Sequence, residues 1–371
     1  MKIYCHEFDL DGMIAPVGEC WDFYPYNQYD LSELCFFDIE TTGLSQATSN
    51  IYMIGVGYYS DDKFKVVQWF ADDYNSEKLI LEEFLTFIRN YKVLFQYNGN
   101  SFDIPYIRAK CKVHNIGCNV LEEIKHIDLY VALRKYSKIL GLENRKLKSF
   151  EKYIGLRRED EFDGGALIKV YVEYIHKKIM GKEDEELLHI LLLHNYEDIT
   201  GLSCVAVLLF LKELMRMPAS FQKTELTEDD IIIYYAGSFP YECEFNIDGS
   251  IICHCQKNEI SFTIPLRKGS LNYYFTDYKD YYYMIEENKV LHKSLAVYTE
   301  PSVRRKAKKS ECYVSNEGIY IQVNKPGCFS DRMHIFRENY TSKEYFVEIN
   351  EKLMEDTSFF DTYIRQIIAG K

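Results

Sequence analysis

The chain has 371 residues, of which 47% are apolar and 27% are charged. These proportions are those of a globular protein and exclude the disordered and fibrous classes, and the length predicts about two domains. There are 44 basic and 57 acidic residues, so the net charge is −13 and the molecule repels polyanions at long range. Any contact with nucleic acid must therefore be local or be assisted by metal ions.

The 11 cysteines are an odd number in a long chain, which argues against a secreted disulfide framework. The opening MKIYCHEFDLDG lacks the apolar core of a signal peptide. The longest apolar run, Leu202 to Leu211, is about half the length of a membrane span. We therefore expect a soluble, cytoplasmic protein with reduced thiols and no membrane contact.

Residues 1–31 are aromatic and acidic without a sustained period, and we interpret them as an N-terminal extension. Three buried strands are predicted from the apolar runs LCFFDIE, IYMIGVGYY and FKVVQWF. Ser76 is the predicted N-cap of a helix over EKLILEEFLTFIRNY, and KVLFQYN predicts a fourth strand. This order of elements begins an α/β layer fold.

Residues 102–217 have a mostly helical pattern, which includes an apolar stretch from Glu185 to Arg216 that ends before Pro218. After Pro218, short strand-like runs alternate with turn signals, and the aromatic run YYFTDYKDYYYMI favours strand. The chain closes with a predicted helix around Phe359–Ile368. We therefore predict an α/β domain at 32–217 and an aromatic-rich, mainly β, α+β accessory domain at 218–371.

Three groups of polar residues stand out. Asp38 and Glu40 lie two apart at the end of the first predicted strand, so their side chains share a face. Asp103 follows the fourth strand at the start of a helix, and His194 and Asp198 share one helical face. Each group alone has a structural explanation: an acidic loop pair, a helix N-cap and a solvated helix face.

The order of the three groups is more specific than any one of them. The segments that carry it are FFDIETTGLS (36–45), YNGNSFDIPYI (97–107), HIDLY (126–130), LKSFEKYIGLRRED (147–160) and HNYEDITGL (194–202). They resemble the DEDD 3′–5′ exonucleases, the DnaQ-like branch of the ribonuclease H-like superfamily, and look most like the bacterial YprB-like predicted exonucleases. The resemblance covers residues 34–217, about half of the chain.

The resemblance implies a ribonuclease H-like mixed sheet flanked by helices. It also implies that Asp38, Glu40, Asp103 and Asp198 bind two divalent ions, Mg²⁺ or Mn²⁺, for which oxygen ligands are suited. Such a pair generates a hydroxide and stabilises the leaving 3′ oxygen. The implied reaction releases nucleoside 5′-monophosphates from the 3′ end of single-stranded DNA or RNA without a nucleotide cofactor. The alternative is a non-catalytic nucleic-acid-binding module on an exonuclease scaffold.

These exonucleases have a fifth site residue, a tyrosine or histidine shortly before the last aspartate, and here it departs from the usual patterns. One DEDD subgroup has a tyrosine four residues before its last aspartate, and the other has a histidine five residues before it. Here His194 stands at the tyrosine spacing. A histidine can accept a proton near neutral pH, so His194 is expected to act either as a base or as a positioning donor.

The resemblance also places four residues near the terminal nucleotide: Thr41, Thr42, Asn98 and Phe102. Phe102 has core packing as an equal alternative. A basic excess from Arg134 to Arg158 is typical of phosphate binding, with a solvated helix face as the alternative. Its expected phosphate contacts are Lys146, Lys148, Arg157 and Arg158. A second basic run at 304–309 lies beside aromatic residues, a combination suited to single strands.

Overall fold

The computed structural model describes residues 1–9, 26–214, 220–237, 242–247 and 249–369. The chain folds as two compact units, Met1–Arg216 with Ser238–Cys243, and Met217–Gly237 with Glu244–Lys371. The predicted boundary after residue 217 falls outside the described residues. No helix within these ranges is both long enough and apolar enough to cross a lipid bilayer.

The first unit is built on a mixed sheet, which has six strands among the described residues. The strands are β1 (Lys2–Asp9), β2 (Leu34–Thr41), β3 (Ile51–Ser60), β4 (Lys63–Phe70), β5 (Val93–Gln96) and β6 (Lys125–Asp128). The helices are α1 (Glu77–Ile88), α2 (Asp103–His114), α3 (Val120–Glu123), α4 (Leu129–Leu133), α5 (Leu147–Tyr153), α6 (Gly164–Ile179), α7 (Glu185–Val205) and α8 (Leu211–Leu214). The order is β1-β4-β3-β2-β5-β6, antiparallel from β1 to β2 and parallel from β2 to β6. The predicted mixed sheet flanked by helices is confirmed.

Two strands of this sheet were not expected from the sequence. Lys2–Asp9 pairs along its whole length with β4, so these residues belong to the sheet rather than to an extension. Residues 10–25, which make up most of the remainder of the predicted extension, lie outside the described residues. Strand β6 falls within the region predicted to be mostly helical. Ser76 is the N-cap residue of α1, as predicted, but its side chain accepts no hydrogen bond from the helix, and its hydroxyl donates to Asp73 (2.7 Å).

Helix α7 lies across β2, β3 and β4, and two glycines of β3 let it approach closely. A methyl group at Gly55 would meet the Asn195 amide, and one at Gly57 would meet Ile199. Gly55 and Gly57 are two residues apart in the strand, a distance of about 6.6 Å, and Asn195 and Ile199 are four residues apart in the helix, a distance of about 6 Å. Because the two distances are similar, the two glycines face successive turns of the helix. The sequence predicted a helical stretch from Glu185 to Arg216. In the structure α7 ends at Val205, and a 3₁₀ turn, Ala206–Phe210, connects it to α8.

The second unit is rich in strands, as predicted. Its strands are β7 (Ser220–Leu226), β8 (Asp230–Ala236), β9 (Cys243–Ile247), β10 (Ile251–Gln256), β11 (Glu259–Tyr274), β12 (Tyr281–Met284), β13 (Lys289–His292), β14 (Arg304–Lys306), β15 (Tyr313–Val323), β16 (Phe336–Arg337) and β17 (Tyr345–Glu348). Its helices are α9 (Lys293–Ala296), α10 (Glu351–Met354) and α11 (Thr357–Ala369). Helix α11 contains the predicted Phe359–Ile368. The aromatic run predicted as strand is divided between β11 and β12 by a 3₁₀ turn, Tyr278–Asp280.

Strand β11 is the longest strand of this unit in the described residues. Residues 259–265 pair with β8, and residues 266–274 pair with β15. Strand β10 pairs beside the first half, and β16 beside the last residues of the second. A separate small sheet has the order β13-β12-β14. There Arg304, Arg305 and Lys306, from the second basic run, lie over the rings of Tyr282 and Tyr283.

Candidate active site

Two carboxylates occupy the end of β2. Asp38 stands opposite Gly55 of β3 and Glu40 opposite Met53, and the register shifts directly after Glu40. Such irregularities end regular pairing and re-aim side chains. The Asp38 Oδ2 atom accepts a hydrogen bond from the Asn195 amide of α7 (3.2 Å). Both carboxylates therefore lie on the sheet face that α7 covers, as strand alternation predicts.

Asp103 begins α2 and reaches the same strand. Its Oδ1 atom accepts a hydrogen bond from the Ile39 amide, 3.3 Å away, between Asp38 and Glu40. Pairing of β2 with β5 ends at Phe36, so this buried amide lies beyond the strand partner and needs another acceptor. The N-terminal turn of a helix also favours a negative charge. The backbone of β2 and the start of α2 thus fix Asp103 beside the strand carboxylates.

His194 and Asp198 face this group from α7. The His194 Nε2 atom lies 3.5 Å from Glu40 Oε1 and 3.4 Å from Asp198 Oδ2. The other ring nitrogen, Nδ1, lies 2.7 Å from Asp160 Oδ2. The Asp160 side chain is 1% exposed and that of His194 is 7% exposed. Ligand atoms of Glu40, His194 and Asp198 lie within 4.8 Å of one another, which suits a metal ion.

Arg158 supplies a fixed positive charge next to Asp198. Its Nη1 atom lies 2.5 Å from Asp198 Oδ1, and its Nε and Nη2 atoms donate to both Glu151 oxygens at 2.5 and 2.6 Å. Glu151 is buried against Gly201 of α7, where a methyl group would overlap its carboxylate. The pair leaves Asp198 Oδ2 as the oxygen that faces His194.

The carboxylates strongly perturb one another. Burial raises the pKa of Asp38 and of Glu40 well above the usual range, and the negative charges of Asp198 and Asp103 add to the effect. Burial also raises the pKa of Asp103 to about 7, although hydrogen bonds from backbone amides oppose the shift. A buried cluster of carboxylates at close range is stabilised by cations. The residues present therefore fit divalent metal ions, for which oxygen atoms are preferred ligands.

Of the residues expected near the terminal nucleotide, Thr41 and Thr42 directly follow Glu40 in the chain, and Asn98 and Phe102 lie between β5 and α2. Thr41 donates to the Gly43 carbonyl (3.0 Å), and the Thr42 hydroxyl accepts from an amide (2.9 Å), so both hydroxyls help to shape the turn after β2. Asn98 is exposed in a left-handed conformation (φ 62°). Phe102 is half-buried against Tyr106, with ring centroids 5.4 Å apart. Partial burial agrees with both of the roles considered for this ring.

The four expected phosphate contacts differ in their surroundings. Lys146 and Arg157 are exposed. Lys148 is half-exposed but donates to Asp160 (2.9 Å) and to the Phe162 carbonyl (2.7 Å). Arg158 does not fit the expectation, because its side chain is 8% exposed and is held by two carboxylates. The positions of Glu151 and Asp198 in the sequence did not indicate that Arg158 would pair with them.

Three residues near the cluster were missed in the sequence. They are Glu151, Asp160 and Asn195. Asp160 stands in the LRRED segment, but it is 34 residues from His194 and no periodic pattern connects them. Glu197 of α7 fixes this segment by accepting the amides of Glu159 and Asp160 at 2.8 and 3.0 Å. Asn195 follows His194 directly, and its role depends on the closeness of α7 to β3.

Comparisons with known proteins agree with this architecture. Residues 35–210 match a family model described as RNase_H superfamily. The chain therefore contains a ribonuclease H-like domain, which confirms the resemblance at the level of the superfamily.

Similar proteins match parts of the chain. The uncharacterized protein YprB of Bacillus subtilis (strain 168) is 28% identical over 176 residues, 47% of this chain and 41% of that protein. A DNA polymerase of Thermococcus sp. (strain 9oN-7) is 29% identical over 129 residues, 27% of this chain and 16% of that protein. A solved family B DNA polymerase from the archaeon Pyrobaculum calidifontis aligns with 69% of this chain and 36% of its own, at 17% identity and a TM-score of 0.37. The chain spans less than half the length of these relatives.

Proposed function

We propose that the protein is a metal-dependent 3′–5′ exonuclease that hydrolyses single-stranded nucleic acid to nucleoside 5′-monophosphates. The observation that carries the proposal is the convergence of carboxylates from three elements. Asp38 and Glu40 come from β2, Asp103 binds the backbone between them, and Asp198 faces Glu40 across His194. A ribonuclease H-like domain with this set of acids is suited to phosphodiester hydrolysis.

The Asp38, Glu40, Asp103 and Asp198 side chains would hold two divalent ions, Mg²⁺ or Mn²⁺. When bound, such ions supply a hydroxide nucleophile and stabilise the leaving 3′ oxygen. The protein's own contribution is rigid placement of the acids. Asn195 orients Asp38, the Ile39 amide orients Asp103, and a guanidinium fixes one oxygen of Asp198.

Substrate binding rests on groups around the cluster. Lys146 and Arg157 are exposed cations that can contact phosphates. Asn98 is exposed and Phe102 is half-buried, so both side chains have surface with which they can contact a terminal nucleotide. Recognition through stacking and phosphates favours single strands of any sequence.

The test uses single-stranded DNA and RNA oligonucleotides labelled at the 5′ end, incubated with Mg²⁺, Mn²⁺ or EDTA. We expect a ladder that shortens from the 3′ end with metal only, and loss of activity in Asp38→Asn. Asp62→Asn is the matched control, because Asp62 is exposed in the turn after β3 and has a left-handed φ of 57° that asparagine tolerates. Binding without shortening would refute the enzyme and support a non-catalytic nucleic-acid-binding module.

A further inference from the structure

The His194 ring is held in one orientation by Asp160. A carboxylate can only accept hydrogen bonds, so Nδ1, at 2.7 Å from Asp160 Oδ2, must be the donor. Asp160 is itself fixed, because Lys148 donates to Oδ2 at 2.9 Å and the Phe162 amide donates to Oδ1 at 3.0 Å. In the neutral ring the lone pair is then on Nε2, which points at the carboxylates.

The distances around Nε2 are long for hydrogen bonds. Glu40 Oε1 and Asp198 Oδ2 lie 3.5 and 3.4 Å away, whereas charge-assisted N–H···O bonds are about 2.7–2.9 Å long. Ligand atoms bound at about 2.0–2.1 Å to one tetrahedral ion lie about 3.3–3.4 Å apart. The distances from His194 Nε2 to the two oxygens are therefore closer to those between ligands of one metal ion than to those of hydrogen bonds.

We infer that His194 Nε2 is a metal ligand, together with Glu40 Oε1 and Asp198 Oδ2, and that this site takes a first-row transition-metal ion. The inference rests on the proposed function and deepens it, because it assigns His194 a role other than base or positioning donor. An imidazole nitrogen favours transition metals over Mg²⁺. The nuclease is thus expected to bind Mn²⁺ or Zn²⁺ more tightly than Mg²⁺.

The residues around Glu40, His194 and Asp198 hold these three side chains in place, as is usual for metal ligands. Histidines that bind metals commonly donate their second ring N–H to a carboxylate, as His194 does to Asp160. Arg158 occupies Asp198 Oδ1 and leaves Oδ2 for the ion. Glu40 and His194 are buried, with side chains 9% and 7% exposed, so few waters can compete for the ion.

The experiment measures the ligand directly by pulsed EPR of bound Mn²⁺. The full chain is loaded with half an equivalent of Mn²⁺, and nitrogen modulation of the electron spin echo reports a bound imidazole. The variants are His194→Gln and the control His189→Gln, which changes an exposed histidine of the same helix. Isothermal titration with Mn²⁺ and Mg²⁺ gives the affinities, and circular dichroism and thermal melting show that each variant is folded.

We expect nitrogen modulation in the wild type and in His189→Gln, and its loss in His194→Gln, with Mn²⁺ affinity lower by about tenfold or more. If His194→Gln does not fold, His194→Asn serves for the same comparison. Mn²⁺ bound without nitrogen modulation, or modulation that persists in the variant, would overturn the ligand role while the proposed exonuclease stands. Absence of any Mn²⁺ or Mg²⁺ binding to the wild type would overturn the metal-dependent exonuclease as well.

Discussion

Substitution of Gly55 by alanine tests the close packing that positions the site. An ideal Cβ at this position lies 2.0 Å from Asn195 Oδ1 and 2.9 Å from its Cγ. Ordinary contact begins at 3.4 Å, so the amide must retreat by about 1.4 Å. That movement breaks two hydrogen bonds, from Gln68 Nε2 to Asn195 (2.9 Å) and from Asn195 to Asp38 (3.2 Å).

Two costs follow from the retreat. Overpacking of a core costs about 1–3 kcal/mol, and leaving a buried amide without its partner costs about 1–3 kcal/mol. We therefore expect Gly55→Ala to lower the stability of the first unit by about 2–6 kcal/mol. At roughly 2–4 °C per kcal/mol for a domain of this size, its melting temperature should fall by about 4–24 °C.

The measurement is calorimetric melting in EDTA, with Gly117→Ala as the control because no atom lies within 4 Å of a methyl group there. In the double variant Gly55→Ala/Asn195→Ala the clash disappears, so its destabilisation should be smaller than the sum of the single effects by more than about 1 kcal/mol. Additive single effects, or equal melting of Gly55→Ala and Gly117→Ala, would refute the reasoning.

Three further predictions concern charge. Arg158→Met leaves the buried Glu151 carboxylate without its partner and should lower the free energy of unfolding by about 3–5 kcal/mol. Adding Glu151→Gln should recover most of that loss, measured by urea unfolding. No recovery in the double variant would contradict the pairing. Neutralising Lys146 and Arg157 should reduce the slope of log affinity against log salt for single strands by about 1.4, measured in EDTA, and an unchanged slope would exclude both as phosphate contacts. In metal-free protein the raised pKa of Asp103, about 7, means that the folded state takes up a proton before the unfolded state does. Stability should therefore rise as the pH falls from about 8 to 5, and this slope in thermal melting should shrink in Asp103→Asn; an equal slope in that variant would refute the assignment.

Parts of the fold could be predicted because their side chains follow a period. Strands β2, β3 and β4 are apolar runs buried in the middle of the sheet, and α1 buries one regular stripe. Strand β1 gave no such signal, because an edge strand is largely exposed. Strand β6 is as short as β5, but its sequence KHID has only one apolar residue and so forms no apolar run.

The same distinction applies to the site. Strand alternation brings Asp38 and Glu40 to one face, and the helical period brings His194 and Asp198 to one face. The partner of His194 could not be predicted, because Asp160 arrives on an irregular segment whose path depends on contacts with α7. A run of basic residues likewise does not reveal that Arg158 turns inward to acids distant in sequence.

The long strand β11 has a consequence for how the second unit can be divided. Because its first half pairs with β8 and β10 and its second half with β15 and β16, the strands on both sides depend on one continuous backbone. A truncation that ends within residues 259–274 would strip partners from both sides and expose unpaired strand edges, which favour aggregation. Fragments of this unit for expression should therefore keep β7 through β17 intact.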